Sequence, residues 1–367
     1  MRARDLGILI GNMATGPLNA ITDVAGVRVG HTTLISGDGP LVVGKGPIRT
    51  GVTVILPHDG DPGREPVFAG SHTLNGNGEM TGLEWVRESG MLTTPIGLTN
   101  THSVGVVRDA LVAASVAARH EVGLWSLPVV AETWDGYLND VNGQHVRPQH
   151  LFAALEATKG GPMAEGNVGG GTGMKAFGFK AGIGTASRTV ATEHGGYTVG
   201  VLVQANHGRR SRLLVDGVPV GREIPHSEVP GTGVPDLVPG SIIAVVATDA
   251  PLLPQQCRRL AHRAELGVAR GGGGGENSSG DIFLAFATGN RGLRAESDEA
   301  APLTFELRML NDDHIDELFW AAIEATEEAI LNSMIAAETM VGRDGITFHA
   351  LPHDRLLDLM RRYGRLA

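Results

Sequence analysis

The sequence predicts a layered α/β fold in a single domain, and three observations support this prediction. Ser241–Thr248 and Ile282–Ala287 are unbroken apolar runs, which are typical of strands buried on both faces. His314–Met340 carries apolar residues at helical spacing, so it should cover a sheet with one face. No fixed-period repeat and no interdomain linker interrupts the 367 residues, which are enough to bury a sizeable core.

Further strands are predicted where short apolar segments end at turn residues. These segments are the second half of Asn19–Thr33, Gly51–Pro57, the start of Pro128–Asp140, Tyr197–Asn206, and Leu303–Leu310 as a hairpin partner of the strand at Ile282. The Asn-Gly steps of Ser71–Gly82 predict tight turning before a helix. Asp216-Gly217 predicts a hairpin within Arg209–Val220, and Arg222–Pro239 is a Pro-rich surface loop.

Helices are predicted where apolar residues recur at helical spacing or where capping residues precede such a run. The shorter ones cover roughly Leu83–Ser89, Ser103–Arg119 and Gln149–Thr158. Asp249–Pro251 caps a helix that runs to about Arg270 and stops at a run of glycines. Asn311–Asp313 caps the longest helix.

Composition and charge exclude several classes of protein. The net charge of −10 argues against nucleic acid or an anionic membrane surface as the main partner. One cysteine, Cys257, excludes an intramolecular disulfide framework and a Cys-rich metal site. No stretch is long and apolar enough for a transmembrane span, and the N-terminal apolar patch is too short for a signal peptide, so we expect a cytoplasmic enzyme.

The stretch Gly271–Asp281, GGGGGENSSGD, leads from five glycines into an apolar strand and is open to two interpretations. It can be a long surface loop that enters a core strand. Alternatively, Ser278 attacks the carbonyl of Asn277, breaks the chain and starts the second fragment as a nucleophile. Ser279 is the alternative nucleophile.

The sequence supports neither a nucleotide-binding site nor a metal site. A phosphate-binding loop would end in Gly-Lys-Ser/Thr, whereas this run ends in Glu-Asn-Ser and opens a strand. There is no His-Glu-x-x-His and no cysteine pair, so we expect neither a metal nor an organic cofactor. His102, His145 and His207 are expected to be polar loop or surface residues.

A cleaved Asn277–Ser278 bond would supply the base that a serine nucleophile needs. The new α-amino group of Ser278 would have a pKa of about 8, so it could accept the proton of its own hydroxyl at neutral pH. The glycine tether would allow the unusual backbone conformation that an N→O acyl shift requires.

The chain resembles the DmpA family of N-terminal-nucleophile aminopeptidases, which includes the L-aminopeptidase/D-esterase and the β-peptidyl aminopeptidases. The resemblance covers nearly the whole chain and rests on several long motifs in one order. These are NAITDVAGVRVGHTT (Asn19–Thr33), NGNGEMTG (Asn75–Gly82), PVVAETWDGYLND (Pro128–Asp140), GNVGGGTGM (Gly166–Met174), VGVLVQANHG (Val199–Gly208), NSSGDIFLAFAT (Asn277–Thr288), and the tail segments Glu324–Ile330 and Thr339–Gly345.

The resemblance implies a role for each of several residues. Ser278 matches the nucleophile, and Asn206 matches the amide that donates to the oxyanion. Glu132 matches the carboxylate that holds the free amine of the substrate. Without the resemblance, Asn206 could be a strand-terminal turn residue and Glu132 a surface or capping acid.

The chain departs from the family pattern at two places. Trp134 stands where a tyrosine is expected, which puts a hydroxyl contact with the substrate in doubt. A supporting serine and acid, separated by one residue, align with Leu310 and Asp312, so the acid is kept and the hydroxyl is absent. The alternative interpretation of Asp312 is that it caps the last helix. Gly170 and Gly171, within Gly170–Gly173, are expected to line the substrate pocket.

The fold that the resemblance implies is a four-layer αββα sandwich, Ntn-hydrolase-like, of the DmpA/ornithine acetyltransferase type. Residues 1–277 and 278–367 would stay assembled as one domain, and a homotetramer of processed chains is expected. The implied function is a self-processed serine aminopeptidase or amidase that acts on small peptides, amides or esters with a free amine. An aminohexanoate-oligomer amidase and an acyltransferase of related architecture remain alternatives, as does an uncleaved, non-catalytic scaffold.

Overall fold

Two β-sheets face each other and carry helices on their outer faces in the computed structural model of this chain. The structure describes residues 1–120, 123–230, 240–293 and 302–366. The strands are β1 Arg28–Ser36, β2 Ile48–Leu56, β3 Val67–Gly76, β4 Met91–Leu92, β5 Ile96–Asn100, β6 Val129–Thr133, β7 Lys175–Ala176, β8 Phe179–Lys180, β9 Ile183–Thr189, β10 Thr198–Asn206, β11 Ser241–Thr248, β12 Gly280–Ala287, β13 Met340–Val341 and β14 Thr347–Phe348. The helices are α1 Leu83–Ser89, α2 Val104–Arg119, α3 Pro148–Glu156, α4 Val220–Glu223, α5 Pro254–Arg270, α6 Asp316–Ile335 and α7 His353–Arg362.

The two large sheets are both mixed. The smaller one has the strand order β1-β2-β5-β6, and the larger one has the order β4-β3-β12-β11-β10-β9. The pairs β5–β6 and β11–β12 are parallel, and each is joined through a helix that crosses over the sheet. All other pairs in the two sheets are antiparallel.

The apolar residues sort into three layers, which gives the order helix, sheet, sheet, helix. Inward-facing residues such as Leu98, Ile243 and Leu284 pack between the sheets. The outer face of the smaller sheet packs against α2 and α3. The outer face of the larger sheet packs against α5 and α6. The predicted four-layer sandwich is the observed architecture.

Helix α6 is buried on nearly all sides, although the sequence predicted a helix with one apolar face. Its carboxylates Glu324 and Glu328 are compensated by the buried guanidinium of Arg188, with nitrogen–oxygen distances of 3.0 and 2.7 Å. Because these charges are paired inside the protein, the helix can be covered by both the sheet and its neighbours without leaving an isolated buried ion.

Most predicted elements are present and some were missed. The predictions for Leu83–Ser89 and Ser241–Thr248 match α1 and β11. The predicted turning at Ser71–Gly82 is wrong in its first half, because β3 continues to Gly76. Leu303–Leu310, all of it described, forms no strand. The elements β5, β9 and α7 had no counterpart among the predictions.

Two predicted loops have mixed outcomes. Asp216 and Gly217 do form a turn, closed by a bridge between Val215 and Val218, but the flanking segments are not strands. The end of the predicted surface loop Arg222–Pro239, from residue 231 onward, lies outside the described residues. Among the described residues, no helix has the length and apolarity needed to cross a bilayer.

Helix α5 approaches β3 so closely that Gly70 cannot carry a side chain. A Cβ at this position would lie 2.4 Å from the Arg258 backbone nitrogen and 2.7 Å from its Cα. We therefore expect Gly70→Ala to lower the free energy of unfolding by about 1–3 kcal/mol, because helix and strand must separate. Gly105→Ala is the matched control, since a Cβ on this exposed position of α2 meets nothing within 4 Å. Urea unfolding in which Gly70→Ala is as stable as Gly105→Ala would contradict the close packing.

Candidate active site

Three strands of the larger sheet bring polar residues together at one edge. Strand β10 ends at Asn206, β11 begins at Ser241 and β12 begins at Gly280. The register pairs Asn206 with Ser241 and Ser241 with Gly280. Because adjacent strands lie about 4.8 Å apart, Ser241 has Asn206 on one side and Gly280 on the other.

The Ser241 hydroxyl and the carbonyl of the peptide bond before it accept hydrogen bonds from the same N–H group. The Gly280 N–H donates to Ser241 Oγ at 3.2 Å and to the Gly240 carbonyl at 3.3 Å. Gly240 must be glycine, because a Cβ there would lie 2.7 Å from both the Asn206 carbonyl oxygen and the His207 Cα. The buried Ser241 hydroxyl and the carbonyl of the preceding residue therefore face the same N–H group.

A hydroxyl–carboxylate pair flanks Gly280. Ser279 Oγ donates to Asp281 Oδ1 at 2.7 Å, and both residues are buried. Burial raises the pKa of Asp281 to about 6, against the hydrogen bond from Ser279, which lowers it. These two residues are a serine and an acid separated by one residue, the pattern that the sequence had placed at Leu310 and Asp312.

Ser278 lies in a turn just outside this strand edge. Its carbonyl accepts a hydrogen bond of 2.7 Å from Asn77 Nδ2, and the Asn277 carbonyl accepts one of 3.3 Å from Asn75 Nδ2. Strand β11 stands between β12 and Asn206, so the start of β12 is about 10 Å from Asn206. The nucleophilic role of Ser278 stays a prediction, whereas the register places Ser241 directly beside Asn206.

The side-chain amide of Asn206 is held in one orientation by two hydrogen bonds. Its Oδ1 accepts a hydrogen bond from the Lys175 backbone N–H at 3.1 Å, which fixes the direction of the amide. Its Nδ2 donates to the Trp134 carbonyl at 2.9 Å. An amide nitrogen carries two hydrogens, and within the described part of the chain only one of them has an acceptor, so the other N–H can serve a second one.

Glu132 is the penultimate residue of β6 on the facing sheet and is only 3% exposed. Its Oε1 accepts a hydrogen bond of 3.0 Å from the Glu79 backbone N–H, and its Oε2 accepts one from the Thr101 hydroxyl. Burial raises the pKa of Glu132, while the Thr101 and Glu79 hydrogen bonds lower it. A buried carboxylate with so few donors gains most from a cationic partner such as an amine.

Gly78 connects Glu132 to the strand edge. A side chain at Gly78 would lie 3.0 Å from the Gly280 Cα and 3.1 Å from Glu132 Oε1. The Glu132 carboxylate and the start of β12 are therefore so close that a single Cβ at Gly78 would touch both of them. Glu132 and the Ser241 hydroxyl therefore both lie close to Gly280.

Trp134 contributes its backbone to the site and its ring to packing. The carbonyl holds Asn206, and the ring packs edge to face against Tyr137 with 4.9 Å between centroids. Gly170 and Gly171 are buried, and Cβ atoms on them would lie 2.2 Å from Gln204 Oε1 and 2.4 Å from the Ile183 nitrogen. Close packing between the sheets thus explains these glycines, and their predicted contact with the substrate stays a prediction.

Asp312 is not brought to this site. It accepts a hydrogen bond of 2.7 Å from Gln256 Nε2 and pairs with Arg259 at 2.9 Å, both on α5. The N-terminus of α5 follows the opposite end of β11, and the eight residues of that strand span about 23 Å. The alternative interpretation of Asp312 as a helix cap is also wrong, because the capping side chain of the short helical turn Asp312–His314 is Asn311.

The predicted surface histidines have different environments. His102 is exposed, and His145 lies 2.8 Å from the Asp140 carboxylate in a loop. The expectation for His207 is wrong, because its ring is buried against Phe177, and burial lowers its pKa to about 3. His207 is therefore neutral beside the strand edge at neutral pH.

Sequence reasoning missed Ser241 and the Ser279–Asp281 pair. Gly240 directly precedes the strand that Ser241 begins, and Asn277-Ser278 lies three residues before IFLAFA, so a serine at the entry to an apolar strand marks both positions. The run of five glycines before Asn277-Ser278 is why the sequence favoured Ser278 as the nucleophile. Which serine lies beside Asn206 depends on strand order, and one sequence does not reveal that order.

Comparisons with known proteins agree with this architecture. The sequence profile of Peptidase family S58 matches residues 19–348. A β-peptidyl aminopeptidase, BapA of Sphingosinicella microcystinivorans, is 49% identical over 100% of this chain and 93% of that protein. BapA of Sphingosinicella xenopeptidilytica is 47% identical over 98% of this chain and 91% of that protein.

Solved structures match over the whole chain. A β-aminopeptidase of a Burkholderia species superposes with a TM-score of 0.92 at 56% identity, covering 99% of each chain. The L-aminopeptidase D-Ala-esterase/amidase of Ochrobactrum anthropi, described as a variant of the Ntn hydrolase fold, gives 0.90 at 46% identity and covers 100% of this chain and 99% of that one. The predicted fold class and hydrolase family are confirmed: the chain belongs to Peptidase family S58.

Proposed function

We propose that this chain is a self-processing serine aminopeptidase whose nucleophile is Ser241. The arrangement at Gly240–Ser241 carries the proposal: a buried hydroxyl and the carbonyl before it lie within 3.2 and 3.3 Å of one backbone N–H. That is the arrangement an acyl shift needs, because the N–H stabilises the charge that develops on the carbonyl oxygen. The relatives named as aminopeptidases support the reaction class.

Processing follows from this geometry in two steps. Ser241 Oγ attacks the Gly240 carbonyl carbon, its proton passes to the departing amide nitrogen, and an ester replaces the peptide bond. Water then hydrolyses the ester, which leaves a carboxylate on Gly240 and a free α-amino group on Ser241. The fragments would be residues 1–240 and 241–367, of which the second has 127 residues (367 − 240 = 127).

Turnover uses the same groups with a substrate in place of the chain. The free amine of the substrate pairs with Glu132, which sets its carbonyl near Ser241, since both residues lie close to Gly280. The α-amino group of Ser241, with a pKa of about 8, takes the proton from Oγ as Oγ attacks. The free N–H of Asn206 and the Gly280 N–H stabilise the oxyanion, and water releases the acyl group.

The Ser279–Asp281 pair supports the nucleophile. It supplies a carboxylate on the residues that flank Gly280, and the pKa of Asp281, about 6, lets it hold a proton in mildly acidic solution and release it near neutrality.

The substrate class is small peptides, amides or esters with a free amine, and the β-peptidyl relatives point to β-amino acids among them. A homotetramer of processed chains is part of the same proposal.

The earlier prediction of cleavage at Asn277–Ser278 makes a different and measurable claim. It would give residues 1–277 and 278–367, so the second fragment would have 90 residues (367 − 277 = 90). The intact masses of the purified protein separate the two sites. An uncleaved chain that persists on incubation would contradict both of them.

We expect Asn206→Ala to lower kcat by about 100-fold to 1,000-fold, the loss typical of removing one oxyanion donor. KM should change little, because this hydrogen bond forms mainly in the transition state. Steady-state kinetics on an aminoacyl p-nitroanilide measure both constants. Gln204→Ala would be a poor control because Gln204 is buried between the sheets, so Asn167→Ala, at an exposed amide, is the better one. Equal losses in Asn206→Ala and Asn167→Ala would contradict the oxyanion role.

The acyltransferase alternative shares the acyl-enzyme and differs in what accepts the acyl group. Partitioning between water and an added amine separates the two activities. A hydrolase gives mainly free acid at millimolar amine, whereas a transferase gives mainly the new amide. The aminohexanoate-oligomer alternative is tested by including such an oligomer in the substrate panel.

A further inference from the structure

We propose that His72, His262 and Glu265 form a binding site for a divalent transition-metal ion of the zinc type, separate from the aminopeptidase centre. One potential ligand atom from each residue lies within 4.8 Å of the others, and among the described residues this is the group of three that could hold a metal ion. Two imidazoles and one carboxylate are ligands that Zn²⁺ accepts, with a fourth position for water.

The three side chains already converge. His72 Nε2 lies 2.8 Å from Glu265 Oε2, and His262 Nε2 lies 2.9 Å from Glu265 Oε1. The two imidazole rings are 4.2 Å apart between centroids. Zinc ligands lie about 2.0–2.2 Å from the ion, so a small opening of the group would admit the metal between the nitrogens and the carboxylate.

The backbone fixes this convergence. His262 and Glu265 are one turn apart on α5, so their side chains share a helix face. Gly70 lets α5 pack against the backbone of β3, and His72 is two residues further along the same strand, on the same face. The His72 ring also stacks on Phe283 with 6.3 Å between centroids, which limits its motion.

Proton positions and charge are compatible with metal binding. Each Nε2 faces a carboxylate oxygen, so Zn²⁺ would take the Nε2 lone pair, and the hydrogen of each ring would move to Nδ1 or to solvent. The Arg263 guanidinium is 3.5 Å from His262 Nδ1 and also lies over the Phe319 ring at 4.0 Å. It faces the distal ring nitrogen and so leaves the ligand position open, and it would turn away from Nδ1 when that nitrogen carries the ring hydrogen.

The site is accessible and lies outside the catalytic edge. The side chains of His72, His262 and Glu265 are 26%, 48% and 19% exposed. His72 pairs in register with Phe283, three residues into β12 from Gly280. A bound ion would therefore tie α5 to β3 behind the Ser279–Asp281 segment without touching it.

Titration of the EDTA-treated, tag-free, full-length protein with Zn²⁺ by calorimetry tests the proposal. We expect one ion per chain, and a rise in melting temperature with added Zn²⁺ because the ion binds the folded state. Co²⁺ bound at the site should give the visible absorption of a four-coordinate complex. His72→Ala and His262→Ala should each weaken binding at least about tenfold, the minimum seen when even outer partners of a metal site are removed.

His194→Ala is the control, because it alters another histidine pair, His194 and His314, whose rings are 6.2 Å apart. Its Zn²⁺ affinity should equal that of the wild type. The proposal is overturned if the wild-type protein binds no Zn²⁺, or if His72→Ala and His262→Ala bind it as the wild type does. All these variants should keep aminopeptidase activity, so the outcome is independent of the proposed reaction.

Discussion

Ser241→Ala should yield a single chain of 367 residues that is neither processed nor active. Without Oγ no acyl shift can begin at Gly240, and without cleavage no α-amino group exists to act as the base. Removing a serine nucleophile costs about a million-fold in kcat, so turnover should fall to background. Denaturing gel electrophoresis and an aminoacyl p-nitroanilide assay measure the two effects.

Ser278→Ala is the matched control for that experiment. It removes an equivalent hydroxyl from a half-buried turn, and no hydrogen bond of this hydroxyl is found among the described residues. We expect it to be processed and active. The reverse result, with Ser278→Ala unprocessed and Ser241→Ala cleaved, would return the nucleophile to Ser278. Circular dichroism should show that both variants are folded.

Glu132→Gln should lower kcat/KM for substrates with a free amine by about 200-fold to 5,000-fold. The substitution keeps the shape and the acceptor for the Glu79 N–H, but it leaves the bound ammonium group without its counter-charge in a buried site, which costs about 3–5 kcal/mol. The loss should be much smaller for an ester or amide that lacks the amine. Kinetics on a matched pair of substrates, with and without the amine, measure this difference.

Glu79→Gln is the control, since the Glu79 side chain is exposed and only its backbone N–H contacts Glu132. It should stay close to the wild type. Because the pKa of Glu132 is raised, this carboxyl becomes protonated at a higher pH than an ordinary glutamate. The protonated form no longer pairs with the amine, so kcat/KM should fall as the pH is lowered. If Glu132→Gln impairs both substrates of the matched pair equally, Glu132 does not hold the amine.

The sequence predicted the layers of this fold well, because strands such as Ser241–Thr248 are apolar on both faces and helices such as Leu83–Ser89 end at glycine. It failed where tertiary contacts override local signals. Residues 71–76 continue β3 past polar positions because β12 pairs with them. Leu303–Leu310 alternates like a strand, yet the structure gives it no partner strand among the described residues.

Site residues could be predicted from the sequence only where their position depends on the end of a single strand. Asn206 is the last residue of β10 and Glu132 the penultimate residue of β6, so each stands at the end of a buried strand, and the roles that the resemblance implies for them stay predictions. To propose Ser241 as the nucleophile, it was necessary to know that β11 lies between β10 and β12. The supporting acid required seeing that Asp281 faces Ser279 across Gly280, whereas Asp312 lies at the far end of the sheet.

The N-terminal sequence and intact mass of the smaller fragment of the purified wild-type protein test the central claim most directly. Processing at Gly240 gives a fragment of 127 residues that begins Ser-Ile-Ile-Ala. A fragment of 90 residues that begins Ser-Ser-Gly-Asp, or a chain that stays whole, would contradict the assignment of Ser241 as the nucleophile.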